Sequence, residues 1–131
     1  IDDATHLPTN NIPYLWHSTH QRGGKLTDDE LDMIATSPEY AYKMADKTKR
    51  RFERGEPSIA ADSQYATLYA ANIIKGRWVD GEAAIARDAN NSYRYALFVL
   101  KRRKFPLGEE VMKASPAIWK KYNSALSNRG W

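Results

Sequence analysis

Gly55-Glu56, Gly81-Glu82 and Gly108-Glu109 recur along this chain at offsets of 26 and 27 residues. Each pair follows a base and an aromatic ring: Arg51-Phe52, Arg77-Trp78 and Lys104-Phe105. Self-similarity at such a period constrains the fold more than any single motif does. Each copy is then one supersecondary unit that cannot bury its apolar face alone, so the copies must stack.

The residues between the pairs read as helices. Thr27-Asp28-Asp29-Glu30 is a capping box, in which the threonine oxygen and the glutamate each satisfy a free backbone N–H. It opens a short helix with Leu31 and Ile34 on one side. Ser37-Pro38-Glu39 opens a longer one, with Tyr40, Ala41, Met44, Ala45, Thr48 and Phe52 at helical spacing. Gly55 is expected to stop it. The next unit has Ile59 on a short helix, then a long helix capped by Asp62 or Ser63 and ended by Gly76. In the third, Ile85 takes the place of Ile59 and Asn90, Asn91 or Ser92 is the expected cap. In the fourth, Met112 takes that place and Ser115-Pro116 repeats Ser37-Pro38. Tyr69, Tyr95 and Tyr122 share one position, which the first unit matches with a one-residue slip. The expected fold is all-α, a stack of about four short-helix/long-helix units at 27–54, 55–80, 81–106 and 107–131. An irregular N-terminal arm at 1–26 precedes this helical-repeat domain. Pro8, Pro13, Gly23 and Gly24 argue for that irregularity, and Tyr14-Leu15-Trp16 is read as an apolar anchor onto the helices.

Composition narrows the function classes. The 131 residues suit one domain, whose core must draw on alanine and on 8 tyrosines and 4 tryptophans because the larger aliphatics are sparse. With 0 cysteines, disulfides, thiolate metal sites and cysteine nucleophiles are excluded. No apolar run approaches a membrane span. The start at Ile1 is expected to mark a processed product or a piece of a longer chain, whose other parts could hold an activity.

Ser37-Pro38-Glu39-Tyr40-Ala41-Tyr42, Lys75-Gly76-Arg77-Trp78 and Gly81-Glu82-Ala83-Ala84-Ile85 resemble short helical repeats of tailed-bacteriophage and giant-virus proteins. The resemblance covers residues 27–131. It implies an all-helical repeat and a viral source, hence the host cytoplasm, and it implies no chemistry.

The basic residues cluster where the long helices end. Lys47, Lys49, Arg50, Arg51 and Arg54 form the first cluster, Lys75 and Arg77 the second, and Lys101, Arg102, Arg103 and Lys104 the third, while Lys120 and Lys121 lie within the fourth long helix. Cations are favoured at helix C-termini by the backbone dipole, which explains them as a solvated face. Stacked in parallel, the same clusters would line one edge and bind a polyanion. Trp78, Phe105, Tyr42 or Tyr93 could then stack on bases. Tyr42 and Tyr93 fall off the inward faces and are candidate contacts for a protein partner as well. The net charge of +4 is modest for a dedicated nucleic-acid binder, so a protein partner is the first expectation and a nucleic acid the alternative. Charge reversal at Arg51, Arg77 and Arg103 is expected to abolish binding while leaving helicity unchanged.

Glu56, Glu82 and Glu109 are expected to be helix-start residues, since neighbours one unit apart are too distant for a shared metal or an acid/base pair. His17 and His20, with or without His6, are the local grouping that could hold a metal, but they match no ligand pattern. No nucleophile elbow, P-loop or dinucleotide fingerprint is present. The expectation is a non-catalytic binding module, with no cofactor and no metal. An appendage of a larger enzyme or virion protein is the remaining alternative.

Overall fold

A computed structural model describes residues 12–21 and 26–127, and among these it is all-helical with no strand. The start chemistry of the sequence is visible at several helices. Helix α2 (Asp28–Ala35) opens on the Thr27 capping box, with Glu30 N–H donating to Thr27 Oγ1 at 3.2 Å and Thr27 N–H donating to Glu30 Oε1 at 2.9 Å. Helix α3 (Pro38–Thr48) starts on Ser37, whose Oγ accepts from Tyr40 N–H. A short 3-10 turn (Glu53–Gly55) leads into α4 (Glu56–Ala60).

Before these lies α1 (Ile12–Gln21), so the expected arm is not irregular where it is described. Pro13 falls in the first turn, where its missing N–H has no intrahelical partner to lose. Leu15 is buried at 4% exposure and Trp16 lies 5.8 Å from the Tyr40 ring, so two of the three anchor residues pack, while Tyr14 is exposed. Pro8, Gly23 and Gly24 lie outside the described residues.

Contacts divide the chain into two compact units, between Ile59 and Ala60. The first holds α1 to α3 and the 3-10 turn around Ile34, Ala41 and Ala45, all fully buried. The second holds α5 (Ser63–Tyr69), α6 (Val79–Ile85), α7 (Ala89–Arg94), α8 (Pro106–Lys113) and α9 (Pro116–Ser127). Ile59, Ile85 and Met112 are fully buried, as their shared position predicts. Within the second unit, the ring of Trp78 packs 4.9 Å from Tyr69, and that of Phe105 4.9 Å from Tyr95. Tilted pairs at this distance add about 0.5–1.5 kcal/mol to simple burial.

One cap falls within expectation and one differs. Asp62 rather than Ser63 caps α5, accepting from Tyr65 N–H at 2.9 Å. Asp88, not Asn90, Asn91 or Ser92, caps α7, accepting from Asn91 N–H at 2.8 Å. Asn91 and Ser92 are instead buried, bonding Ser63 Oγ and the Ile85 carbonyl.

The helix ends carry the main structural surprise. Helices α5 and α7 each run into a π-helical turn, Ala70–Ile74 and Tyr95–Val99, which α3 lacks. Each π turn holds one additional residue before the stop. Ala45 precedes its left-handed cap Lys49 by four residues, whereas Ala70 and Ala96 precede Lys75 and Lys101 by five. This accounts physically for the one-residue slip of the first unit. The left-handed positions are therefore Lys49 (φ 57°), Lys75 (φ 62°) and Lys101 (φ 57°), not the glycines Gly55 and Gly76. A second left-handed residue, Arg102 (φ 64°), follows Lys101. It takes up the extra residue of the 27-residue interval to Gly108.

A left-handed conformation costs an L-residue about 1–2 kcal/mol, and glycine escapes most of that cost. Lys49→Gly, Lys75→Gly and Lys101→Gly are each expected to raise unfolding stability by ~1 kcal/mol. Urea unfolding of each variant measures this, and an unchanged or lowered midpoint would show that the lysines are there for stability.

Candidate binding surface

The base, aromatic and glutamate of the repeat assemble into one hydrogen-bonded turn. In the second unit Arg77 Nε donates to Glu82 Oε2 at 2.7 Å and its NH2 to Oε1 at 3.1 Å, a bidentate pair. Tyr95 O–H donates to the same Glu82 Oε2 at 2.6 Å and accepts from Trp78 N–H at 2.9 Å. Glu82 is 4% exposed and Tyr95 fully buried. Tyr122 repeats this around the next turn, donating to Glu109 Oε2 at 2.7 Å and accepting from Phe105 N–H at 2.8 Å. In the first unit Arg51 makes the same bidentate pair with Glu56, at 2.8 and 2.9 Å.

These glutamates stand in the first turns of their helices, as expected. Their carboxylates also accept side-chain bonds: Glu82 from Tyr95 and Arg77, Glu109 from Tyr122, and Glu56 from Arg51. Burial raises the Tyr95 and Tyr122 phenols above their usual range, and the adjacent carboxylates raise them further. Glu82 in turn raises the Arg77 guanidinium by hydrogen bonding and by charge.

The sequence-predicted site residues separate into two groups. Arg51 and Arg77 are tied into the turns by their glutamates. Lys49, Arg50, Lys75, Lys101, Arg102 and Arg103 are exposed, and Lys49 makes a surface pair with Asp46 at 3.1 Å, of the kind that adds little. In the second unit the structure brings Arg77, Lys101, Arg103 and Lys104 together around a groove of about 240 Å³, floored by Val99 and Leu100. Among the described residues Lys101, Arg103 and Lys104 have no carboxylate within 4.0 Å. Lys104 stands where Arg77 and Arg51 stand, but does not reach Glu109. Tyr42, in the first unit, is half-buried on α3.

Arg102 lies apart from its neighbours in sequence. It lines a second groove of about 410 Å³ between the α7 end and α9, with Tyr93, Lys120 and Lys121. The left-handed pair Lys101-Arg102 reverses the chain locally, so four consecutive bases serve two grooves. Lys120 and Lys121 lie on the fourth long helix, and nothing in their spacing tells which earlier helix α9 packs on. Trp78 and Phe105, named as base-stacking candidates, are buried at 5% and 1% exposure and are not available for stacking.

His17 is exposed on α1, while His6 and the side chain of His20 lie outside the described residues. Among the described residues no three potential ligands gather into a metal site, and no helix is long and apolar enough to cross a membrane. Comparison with known proteins found no matching family model, no matching curated protein and no matching solved structure.

Proposed function

We propose that the chain is a non-catalytic binding module that docks on an acidic protein partner through its basic turns. The observation that carries this reading is the gathering of Lys101, Arg103 and Lys104 beside Arg77, with only Arg77 neutralised. Like charges crowded on one groove are unfavourable in isolation and become favourable against an opposite potential. The left-handed lysines point the same way: glycine would be more stable there, yet a cation stands at each. The resemblance adds a phage source, and with it a host factor or a larger phage assembly as partner in the host cytoplasm.

A nucleic acid is the second reading, favoured by the same four clustered cations. It is weakened by the burial of Trp78 and Phe105, which leaves no run of stacking rings along the turns. Labelled poly-glutamate and a labelled single-stranded oligonucleotide, titrated at about 50 and 200 mM salt, separate the two. Poly-glutamate is expected to bind and the oligonucleotide to bind more weakly. Tighter oligonucleotide binding with a steep salt dependence would transfer the site to nucleic acid. The variant to use is Lys101→Glu with Arg103→Glu and Lys104→Glu, which should abolish binding with the fold intact. Reversal at Arg51 and Arg77 is unsuitable, because it would set a carboxylate against Glu56 and against Glu82.

A further inference from the structure

We infer that the groove between α7 and α9 is the docking site for an acidic, amphipathic peptide segment of the protein partner, an inference that rests on the reading above. Three features of the groove define its occupant. Tyr93, Leu97 and Ala125 form its walls, and all three are only half-buried, so apolar surface stays in contact with water. Arg102, Lys120 and Lys121 are exposed around it, and no carboxylate of the described residues lines it. Lys120 and Lys121 have no ion-pair partner among the described residues. An apolar trough rimmed by one sign of charge complements a segment with apolar anchors on one side and carboxylates on the other.

The dimensions agree. Helix α9 has 12 residues, about 18 Å at 1.5 Å per residue, enough to seat two or three turns of a partner helix. A nucleic-acid strand fits less well. Tyr93 is the one ring among the described residues that line the groove, whereas strand binding draws on successive stacking platforms. Arg102 owes its place here to its left-handed backbone, which turns it away from the Lys101, Arg103 and Lys104 groove.

The test uses the whole chain and a labelled 14-residue peptide that alternates glutamate pairs with leucine and phenylalanine, read by fluorescence anisotropy. An all-glutamate peptide of equal length and an oligo-dT serve as competitors. Lys120→Glu combined with Lys121→Glu, both on exposed positions, and separately Leu97→Glu, are each expected to weaken the amphipathic peptide about tenfold or more. Reversal of Lys101, Arg103 and Lys104 should weaken it by about threefold or less, as distant charges do. The all-glutamate peptide should compete poorly. If the amphipathic peptide binds but is lost only on reversal of Lys101, Arg103 and Lys104, the groove is overturned and the basic-turn reading stands. If neither acidic peptide binds at low salt, both are overturned. Displacement by oligo-dT at lower concentration than by the all-glutamate peptide would overturn both in favour of nucleic acid. Lys120→Glu with Lys121→Glu keeps the test decisive should Leu97→Glu fail to fold.

Discussion

Gly81→Val is expected to lower the stability of the chain by about 3 kcal/mol, while Gly76→Ala, five residues earlier, is expected to leave it unchanged or raise it by ~0.4–1 kcal/mol. A Cβ on Gly81 would lie 2.8 Å from the Trp78 ring and 3.0 Å from Ala66 Cβ. Both neighbours are buried, so neither can move aside cheaply. Gly76 has nothing within 4 Å, and its backbone is not left-handed. The glycine of each Gly-Glu pair is thus selected by close approach and not by backbone conformation. At Gly55 the added carbon would meet Ala41 at 2.6 Å, and at Gly108 it would meet Ser92 and the Phe105 ring. Small residues at 41, 66 and 92 are the other half of the same contacts. Urea unfolding of both variants checks the argument. A Gly81→Val midpoint near that of the parent would show that the turn can open, and that the repeat's glycine has another cause.

That contact illustrates what the sequence could and could not convey. Helix starts were readable at Thr27, Ser37 and Asp62, because a cap is a local bargain between a side chain and N–H groups two or three residues on. The buried positions of Ile59, Ile85 and Met112 were readable from their recurrence. The helix ends were not. Glycine is the usual left-handed stop, so Gly76 was the natural choice, but the π turn carries α5 to Lys75 and leaves Gly76 one step beyond. Backbone register of that kind has no side-chain signature. The Glu–Tyr network lies between these cases. Glu82 and Tyr95 stand 13 residues apart, as do Glu109 and Tyr122, and that constant spacing is present in the sequence. Its meaning depends on which helix folds against which turn. For the candidate binding surface, the cations were identifiable by type, but which of them a glutamate neutralises required the fold. Arg77 and Lys104 occupy matching places with opposite fates.

Tyr95→Phe is expected to cost about 3 kcal/mol, and Tyr122→Phe about half of that. The change keeps the ring, so the packing against Phe105 survives. What is lost is the hydroxyl that Trp78 N–H donates to and that donates to Glu82. The Trp78 N–H is then buried without an acceptor, and Glu82 keeps only Arg77. Around Tyr122 the glutamate is half-exposed, so water can replace the missing donor there. The same hydroxyl sets an alkaline limit. The folded chain holds the Tyr95 proton above the usual tyrosine range, whereas the unfolded chain releases it near pH ~10. Above that pH the unfolded state binds fewer protons than the folded one, so stability is complete below pH ~10 and falls as pH rises. Tyr95→Phe removes that contribution, so the gap between parent and variant should be widest near neutrality and should narrow on the alkaline side. Urea midpoints from pH 7 to 11 measure both effects at once. A gap that stays constant with pH would mean that Tyr95 ionises as readily folded as unfolded, and that Glu82 is not held as the geometry describes.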